Sequence, residues 1–198
     1  MTTKGRQKTL DPDFVLHAYC AGYFPMADSR TGWVSWHSPD PRTIIPLTAF
    51  NISRSLRQVI RKQIFEIRVN TAFRDVIRSC ARREDTWISE EIIETYSALH
   101  SRGYAHTVES WLGNQLVGGL YGVAIGGAFF GESMFSAVSN ASKVALVHLV
   151  ETLTLRKFTV LDAQFMNEHL KQFGAIEIPR SAYLDLLSES LKVDTRFA

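Results

Sequence analysis

Cysteine is nearly absent from the 198 residues: Cys20 and Cys80 stand alone, far apart and outside any CxxC pairing. That argues against a zinc module and against a secreted disulfide framework, and makes a reducing, cytoplasmic setting the natural expectation. Long apolar runs are missing too. No stretch of about 18 apolar residues occurs, and the N-terminus MTTKGRQKTLDPDF lacks the apolar centre of a signal peptide. Excess charge of either sign is lacking: 22 Lys and Arg face 20 Asp and Glu, a net +2, so any site for a polyanion must be local. The six histidines form no HExxH or Cys/His cluster, and neither GxGxxG after a strand, GxxxxGK(S/T) nor GxSxG occurs. Neither a metal nor a nucleotide cofactor is expected.

What is present suits one ordinary core, since 45% of the residues are hydrophobic and single cores run to about 100–200 residues. Asp11 and Pro12 open a helix that Gly22 stops. The aromatic stretch YFPMADSRTGWVSWHSPDPR reads as ordered loop or hairpin, and a boundary near residues 38–42 separates a small part, 1–42, from a larger domain, 43–198. The larger part starts with a helix from Asn51 to about Lys62, a strand at FEIRVN, and helices from Ala72 to about Arg82 and from Ser89 to Gly103. The period then becomes that of a three-stranded meander, AHTVESWL, QLVGGLYGVAI and AFFGESMF, whose glycines read as hairpin punctuation. A long apolar helix from about Asn140 to Arg156, strand TVLDAQF, a short helix closed by Gly174, strand AIEI and a helix from about Ala182 to Leu191 follow. From residue 64 to 178 the order is strand, helix, helix, three strands, helix, strand, helix, strand. That is the order of the GCN5-related N-acetyltransferase core, an α+β fold with a mixed sheet flanked by helices. Fold alone does not name a chemistry.

Four places could carry chemistry. On NISRSLRQVIRK, Arg54, Arg57 and Arg61 share one side and Lys62 follows, with no acidic partner on the helix; the stripe fits a solvated face and an RNA backbone about equally. In TVLDAQF the two-residue period puts Asp162 and Gln164 on one face. They are either solvated on an open sheet or functional on a covered one. In AFFGESMF the same period makes Phe130, Glu132 and Met134 share a face, leaving Glu132 among apolar neighbours, where an acid requires an open face or a visiting cation. Trp87 precedes a helix in a loop, where it either plugs a core edge or stacks on a base.

The segments YFPM, WHSPDPR, ISRS, DTWIS, GYAHTVESW, LVGGLYGVAIGGAFFGESMFS, NASK, LDAQ and GAIEIPR, in this order, resemble the bacterial leucyl/phenylalanyl-tRNA-protein transferases over residues 10 to about 187. The resemblance implies a reaction centre at Asp162 and Gln164 and a C-shaped apolar pocket of Leu120, Phe129, Glu132, Met134, Leu146, Leu149, Leu153 and Leu161. It implies a tRNA patch at Arg54, Arg57, Arg61 and Lys62, and adenosine contacts at Trp87 and Trp36. Here Met26 and His37 replace aromatic residues of the best known members, and the N-terminal domain reads as truncated. The implied partners are leucyl-tRNA and phenylalanyl-tRNA, and acceptor proteins beginning with Arg or Lys, which the transfer marks for the N-degron pathway; no metal or membrane is involved and the protein is expected to be a monomer. Asp162 is expected to take the proton of the acceptor amine, directly or through water, with the neighbouring ribose hydroxyl as the alternative relay, and Gln164 to orient that amine. Acetyl-CoA-dependent acetylation on the same fold is disfavoured because no Q/R-x-x-G-x-G/A loop precedes the 140–156 helix. A noncatalytic RNA-binding module would leave Asp162 and Gln164 without a role.

Overall fold

Local capping chemistry sets the helices in the computed structural model, which describes residues 10–83 and 85–198; the polar residues 1–9 read above lie outside them. The Asp11 carboxylate accepts the Asp13 N–H at the head of α1 (Pro12–Cys20), and Gly22, at φ +80°, turns the chain out of it. Strands β1 (Phe24–Ala27) and β2 (Val34–His37) then form an antiparallel hairpin that makes a sheet of its own. Next come β3 (Arg42–Ile44), α2 (Arg54–Arg61) capped by Ser53, β4 (Glu66–Val69), α3 (Phe73–Ala81) and α4 (Glu90–Ser101) capped by Ser89. The meander β5 (Ala105–Leu112), β6 (Gln115–Ile125) and β7 (Ala128–Ser136) follows. The chain finishes with α5 (Ala141–Leu155), β8 (Val160–Gln164), α6 (Glu168–Lys171), β9 (Ile176–Ile178) and α7 (Arg180–Ser190).

The second sheet is mixed and seven-stranded, in the order β4-β5-β6-β7-β8-β3-β9. All neighbours run antiparallel except β7 and β8, which are parallel. The fold is therefore α+β, with helices on both faces. On one face α1, α3, α4 and α7 bury Val15, Tyr19, Ile77, Tyr96 and Leu187 against Tyr121, Val123, Phe130 and Val160. On the other, α2 and α5 bury Leu56, Leu146, Leu149 and Leu153 against Val108, Leu120, Phe129 and Leu161. The elements expected between 64 and 178 are all present, in the expected order. Strand β3 is an addition: three residues between prolines offer no period to read, and their strand character comes from pairing with β8 and β9.

Two expectations for the meander need correction. In β6 and β7, Gly122 faces Gly131 while Tyr121 faces Ser133, so Glu132 is an extra residue on β7, a bulge. A bulge reverses the alternation beyond it. Phe130 consequently lies in the α1/α3/α4 core whereas Met134 packs on the α5 side, and the two do not share a face. The glycines are not all punctuation either: Gly126 does occupy a turn at φ +53°, but Gly118 and Gly122 lie inside β6. A Cβ on Gly118 would stand 2.4 Å from that of Ala141, and one on Gly122 would stand 2.3 Å from the Phe130 carbonyl oxygen and 2.4 Å from Phe129 Cε1. These glycines let α5 and the bulged strand approach β6.

Gly122→Ala is therefore expected to be destabilising by about 2–3 kcal/mol through overpacking against backbone, lowering the melting temperature by roughly 5–10 °C in a chain of this length. Thermal unfolding followed by circular dichroism checks this; an unchanged midpoint would show that β6 and β7 are free to separate there.

Candidate active site

Parallel pairing of β7 with β8 ends at Phe130 and Asp162, and the bulge at Glu132 follows at once. Beyond that point a cavity of about 1050 Å³ opens, and its wall draws on both faces of the sheet. Leu120, Met134, Leu146, Leu149 and Leu161 line an apolar half; Tyr121, Glu132, Ser133 and Gln164 line a polar half; Met26, Trp87 and Phe165 also stand in the wall.

Asp162 touches this wall but is fully buried and fully engaged. Arg42, also fully buried, grips it with two parallel hydrogen bonds, Nε to Oδ1 at 2.9 Å and Nη2 to Oδ2 at 2.5 Å. Tyr183 donates its hydroxyl to Oδ2 at 2.8 Å, and the Gln164 N–H donates to Oδ1 at 2.9 Å. The guanidinium reaches on to the Gly22 carbonyl at 3.1 Å and lies over the rings of Phe24 and Tyr183, with centroids at 4.8 and 4.4 Å. A bidentate charge-assisted pair with two further donors leaves no carboxylate lone pair for an incoming proton. The expectation that Asp162 takes the proton did not include this full engagement, and through the N–H it accepts Asp162 also holds the Gln164 backbone.

Glu132 is differently situated. It accepts hydrogen bonds from the Tyr19 hydroxyl at 2.7 Å, from Gln164 Nε2 at 2.9 Å and from the Tyr96 hydroxyl at 3.3 Å, and the two tyrosine hydroxyls also bond to each other. Among the described residues no cation is ion-paired with it, and Arg42 is paired with Asp162. Burial, joined by the nearby charge of Asp162, pushes the Glu132 carboxyl up to about 7 against the pull of those hydrogen bonds. Gln164 adopts a left-handed backbone, φ +65°, a conformation a non-glycine residue holds only where its surroundings impose it. With Nε2 committed to Glu132, its Oε1 is left to accept from the cavity.

Residues 44–188 match the family model described as leucyl/phenylalanyl-tRNA protein transferase, and residues 8–40 match that of its N-terminal domain. The chain belongs to the leucyl/phenylalanyl-tRNA protein transferase family. A leucyl/phenylalanyl-tRNA--protein transferase of Gloeobacter violaceus is 54% identical over 96% of this chain and 98% of its own length. Those of Salinibacter ruber and Herpetosiphon aurantiacus are 53% and 50% identical, over 93% and 96% of this chain and 81% and 99% of theirs. Among solved structures, L-PGS from Bacillus licheniformis aligns over 91% of this chain and 70% of that one, with 11% identity and a TM-score of 0.46. The chain is thus an aminoacyltransferase.

In this transferase Leu120, Glu132, Met134, Leu146, Leu149 and Leu161 stand in the cavity wall, as does Trp87. Phe129 and Leu153, expected beside them, are fully buried in the core and do not line it. Trp36 is not in the wall either. It pairs with Pro25, so it emerges on the opposite side of the hairpin from Met26, and it packs edge-on against Phe14 with ring centroids 5.2 Å apart. Met26 takes the place at the wall, tied there by the Ala27 N–H to the Trp87 carbonyl. Arg54, Arg57, Arg61 and Lys62 are all exposed on α2, which buries Leu56; among the described residues none of them is ion-paired, and none reaches the cavity. Sequence reasoning did not find Arg42, Tyr96 or Tyr183. Nothing local marks them, since their partners lie between 20 and 141 residues away. Tyr19, fully buried on α1, has its polar partners 77 and 113 positions away.

Removing one member of the buried pair leaves a charge stranded, so Arg42→Met should be destabilising by about 3–5 kcal/mol, whereas Arg42→Met with Asp162→Leu should recover most of the loss. Urea unfolding of the parent and the two variants tests this, and a double variant as damaged as the single would argue against a stranded charge. Glu132 sets a slope in pH. Its folded pKa lies above the unfolded value of 4.5, so the folded state holds the extra proton and stability declines as pH rises from about 4.5 to about 7. Glu132→Gln should lack that decline, gaining about 3 kcal/mol on the parent between pH 4 and pH 8; parallel stability curves would refute it.

Proposed function

We propose that this enzyme transfers leucine or phenylalanine, and also methionine, from aminoacyl-tRNA to the α-amine of proteins that begin with Arg or Lys, marking them for the N-degron pathway. The reading includes a cytoplasmic monomer built on a GCN5-related N-acetyltransferase-like fold. Residues 1–42 act as a small N-terminal unit and 43–198 as the catalytic domain. The observation that carries the proposal is the two-sided cavity: an apolar half fits an uncharged side chain, a polar half fits an amine, and they meet at Gln164. The order of elements and the parallel pair β7/β8 support the fold assignment. The separate two-stranded sheet supports the division. Among the described residues no helix is long and apolar enough to cross a bilayer.

The ester of a charged tRNA is already activated, so bringing it and the amine into attack geometry supplies most of the acceleration, up to about 7–11 kcal/mol. The amine must first lose a proton. Its ordinary pKa of about 7.7–8.0 lies close to the pKa of about 7 at Glu132, so transfer between them costs only about 1 kcal/mol. A carboxamide is far too weak a base, and Asp162 is committed to Arg42. Glu132 therefore takes the proton, Gln164 Oε1 accepts a remaining N–H to aim the nitrogen, and Asp162 and Arg42 hold Gln164 in its left-handed conformation. The nitrogen attacks the ester carbon, the bond from that carbon to the ribose oxygen breaks, and the oxygen departs as a hydroxyl carrying the nitrogen's second proton. In the apolar half an added or missing methylene is worth about 1–3 kcal/mol, which is why Leu, Phe and Met are all accepted. The charge on Glu132 also favours acceptors with a cationic first side chain. Trp87 receives the terminal adenosine, with Met26 in place of Trp36, and the α2 stripe follows the tRNA backbone.

With radiolabelled leucyl-tRNA and an Arg-initiated peptide the parent should form labelled product, whereas labelled acetyl-CoA should give none; the reverse result would make the protein an acetyltransferase. Glu132→Gln should lower kcat/KM at least about a hundredfold. It should also remove a rise in kcat/KM through pH 7, since only the ionised carboxylate accepts a proton, and narrow the preference for Arg- over Ala-initiated peptides. A variant that keeps the parent's rate and pH profile would remove Glu132 from proton transfer.

A further inference from the structure

Three cations stand at the cavity and have no part in the chemistry above. Arg82 and Arg83 follow the C-terminal end of α3 on one lip, and Lys143 lies in the first turn of α5 on the other. Among the described residues none of the three belongs to an ion pair. Arg83 is held toward the end of β7 by donating to the Met134 carbonyl, and Lys143 donates to Gln172 Oε1 at 2.9 Å; both tethers are neutral groups.

The position of Lys143 is electrostatically adverse. The N-terminus of a helix already carries a partial positive charge of roughly half a unit, which acids relieve and cations aggravate by about 0.3–1 kcal/mol. Helix α4 obeys this, with Glu90 and Glu91 in its first turn. Helix α5 does the opposite: its first turn has no acid, and Asn140 makes no side-chain cap. Two positive potentials thus coincide at Lys143, in a cavity wall that also carries Arg82 and Arg83, in a chain whose net charge is only +2. An anion between the lips would relieve all of them.

We propose that this rim binds the 5′-phosphate of the terminal, aminoacylated nucleotide of the donor. The inference rests on the reading that the cavity receives an esterified nucleoside. A ribose whose ester reaches Gln164 presents its 5′ carbon on the far side, toward the mouth, where the chain of phosphates must leave. The cations of α2 are a separate patch, since none of them lines the cavity.

Two small donors test it, the leucyl ester of adenosine and the leucyl ester of adenosine 5′-monophosphate, each with an Arg-initiated peptide. The parent should use the phosphorylated donor with a KM about tenfold to thirtyfold lower and a kcat within about twofold, and the advantage should shrink as salt is raised. Lys143→Met and Arg82→Ser should each reduce that ratio to a few-fold, the double variant should bring it near one, and Lys143→Arg should keep it. Equal KM values for the two donors in the parent, or a full advantage surviving in the double variant, would overturn the proposal while leaving the transferase reading intact. Transfer from neither ester nor from leucyl-tRNA would overturn that reading and the proposal with it.

Discussion

One buried ion pair organises this protein. The fully buried guanidinium of Arg42 meets the equally buried carboxylate of Asp162 through two hydrogen bonds. Withdrawing two charges from water is costly, and only complete pairing with further hydrogen bonds offsets it. Those further bonds come from Gly22 after α1, Tyr183 on α7 and the backbone of Gln164. A single electrostatic requirement thereby draws together four distant parts of the chain. It also distributes charge within the site. Because Arg42 is consumed by Asp162, Glu132 is left with neutral donors alone, and its carboxyl moves toward the range in which an amine can exchange a proton with it.

The bulge at Glu132 contributes the complementary constraint, one of shape. Where β7 gains a residue it reverses its alternation, so Phe130 stays in one core and Met134 enters the other. A regular strand would have confined the cavity wall to one side of the sheet. The irregular one gives it an apolar side and a polar side, with Gln164 at the junction.

Much of the architecture was legible in the sequence because it is locally encoded. Ser89 heads its helix as read, and Gly103 and Gly126 turn the chain at positive φ, whereas the helix expected from Asn51 starts only after a Ser53 cap. Asp162 and Gln164 do emerge together, as a two-residue period requires. What escaped was non-local. A three-residue strand has no period; a bulge is defined only by its partner strand; Trp36 and Met26 differ by a pairing across a hairpin. The burial of Arg42 depends on a carboxylate 120 positions away, and the full engagement of Asp162 depends equally on that arginine. Gly118 and Gly122 looked like turn residues because a close approach of other atoms leaves no trace in composition.

The insertion of β3 between β8 and β9 has a consequence for biosynthesis. A strand near residue 43 finds its neighbours only when residues 160–178 exist, so a ribosome must release almost the entire polypeptide before that part of the sheet can close. Nascent chains are accordingly inert, and maturation is governed by a late, long-range docking event whose closure entropy slows it. An aminoacyltransferase built this way thus acquires its own competence only near the end of its translation.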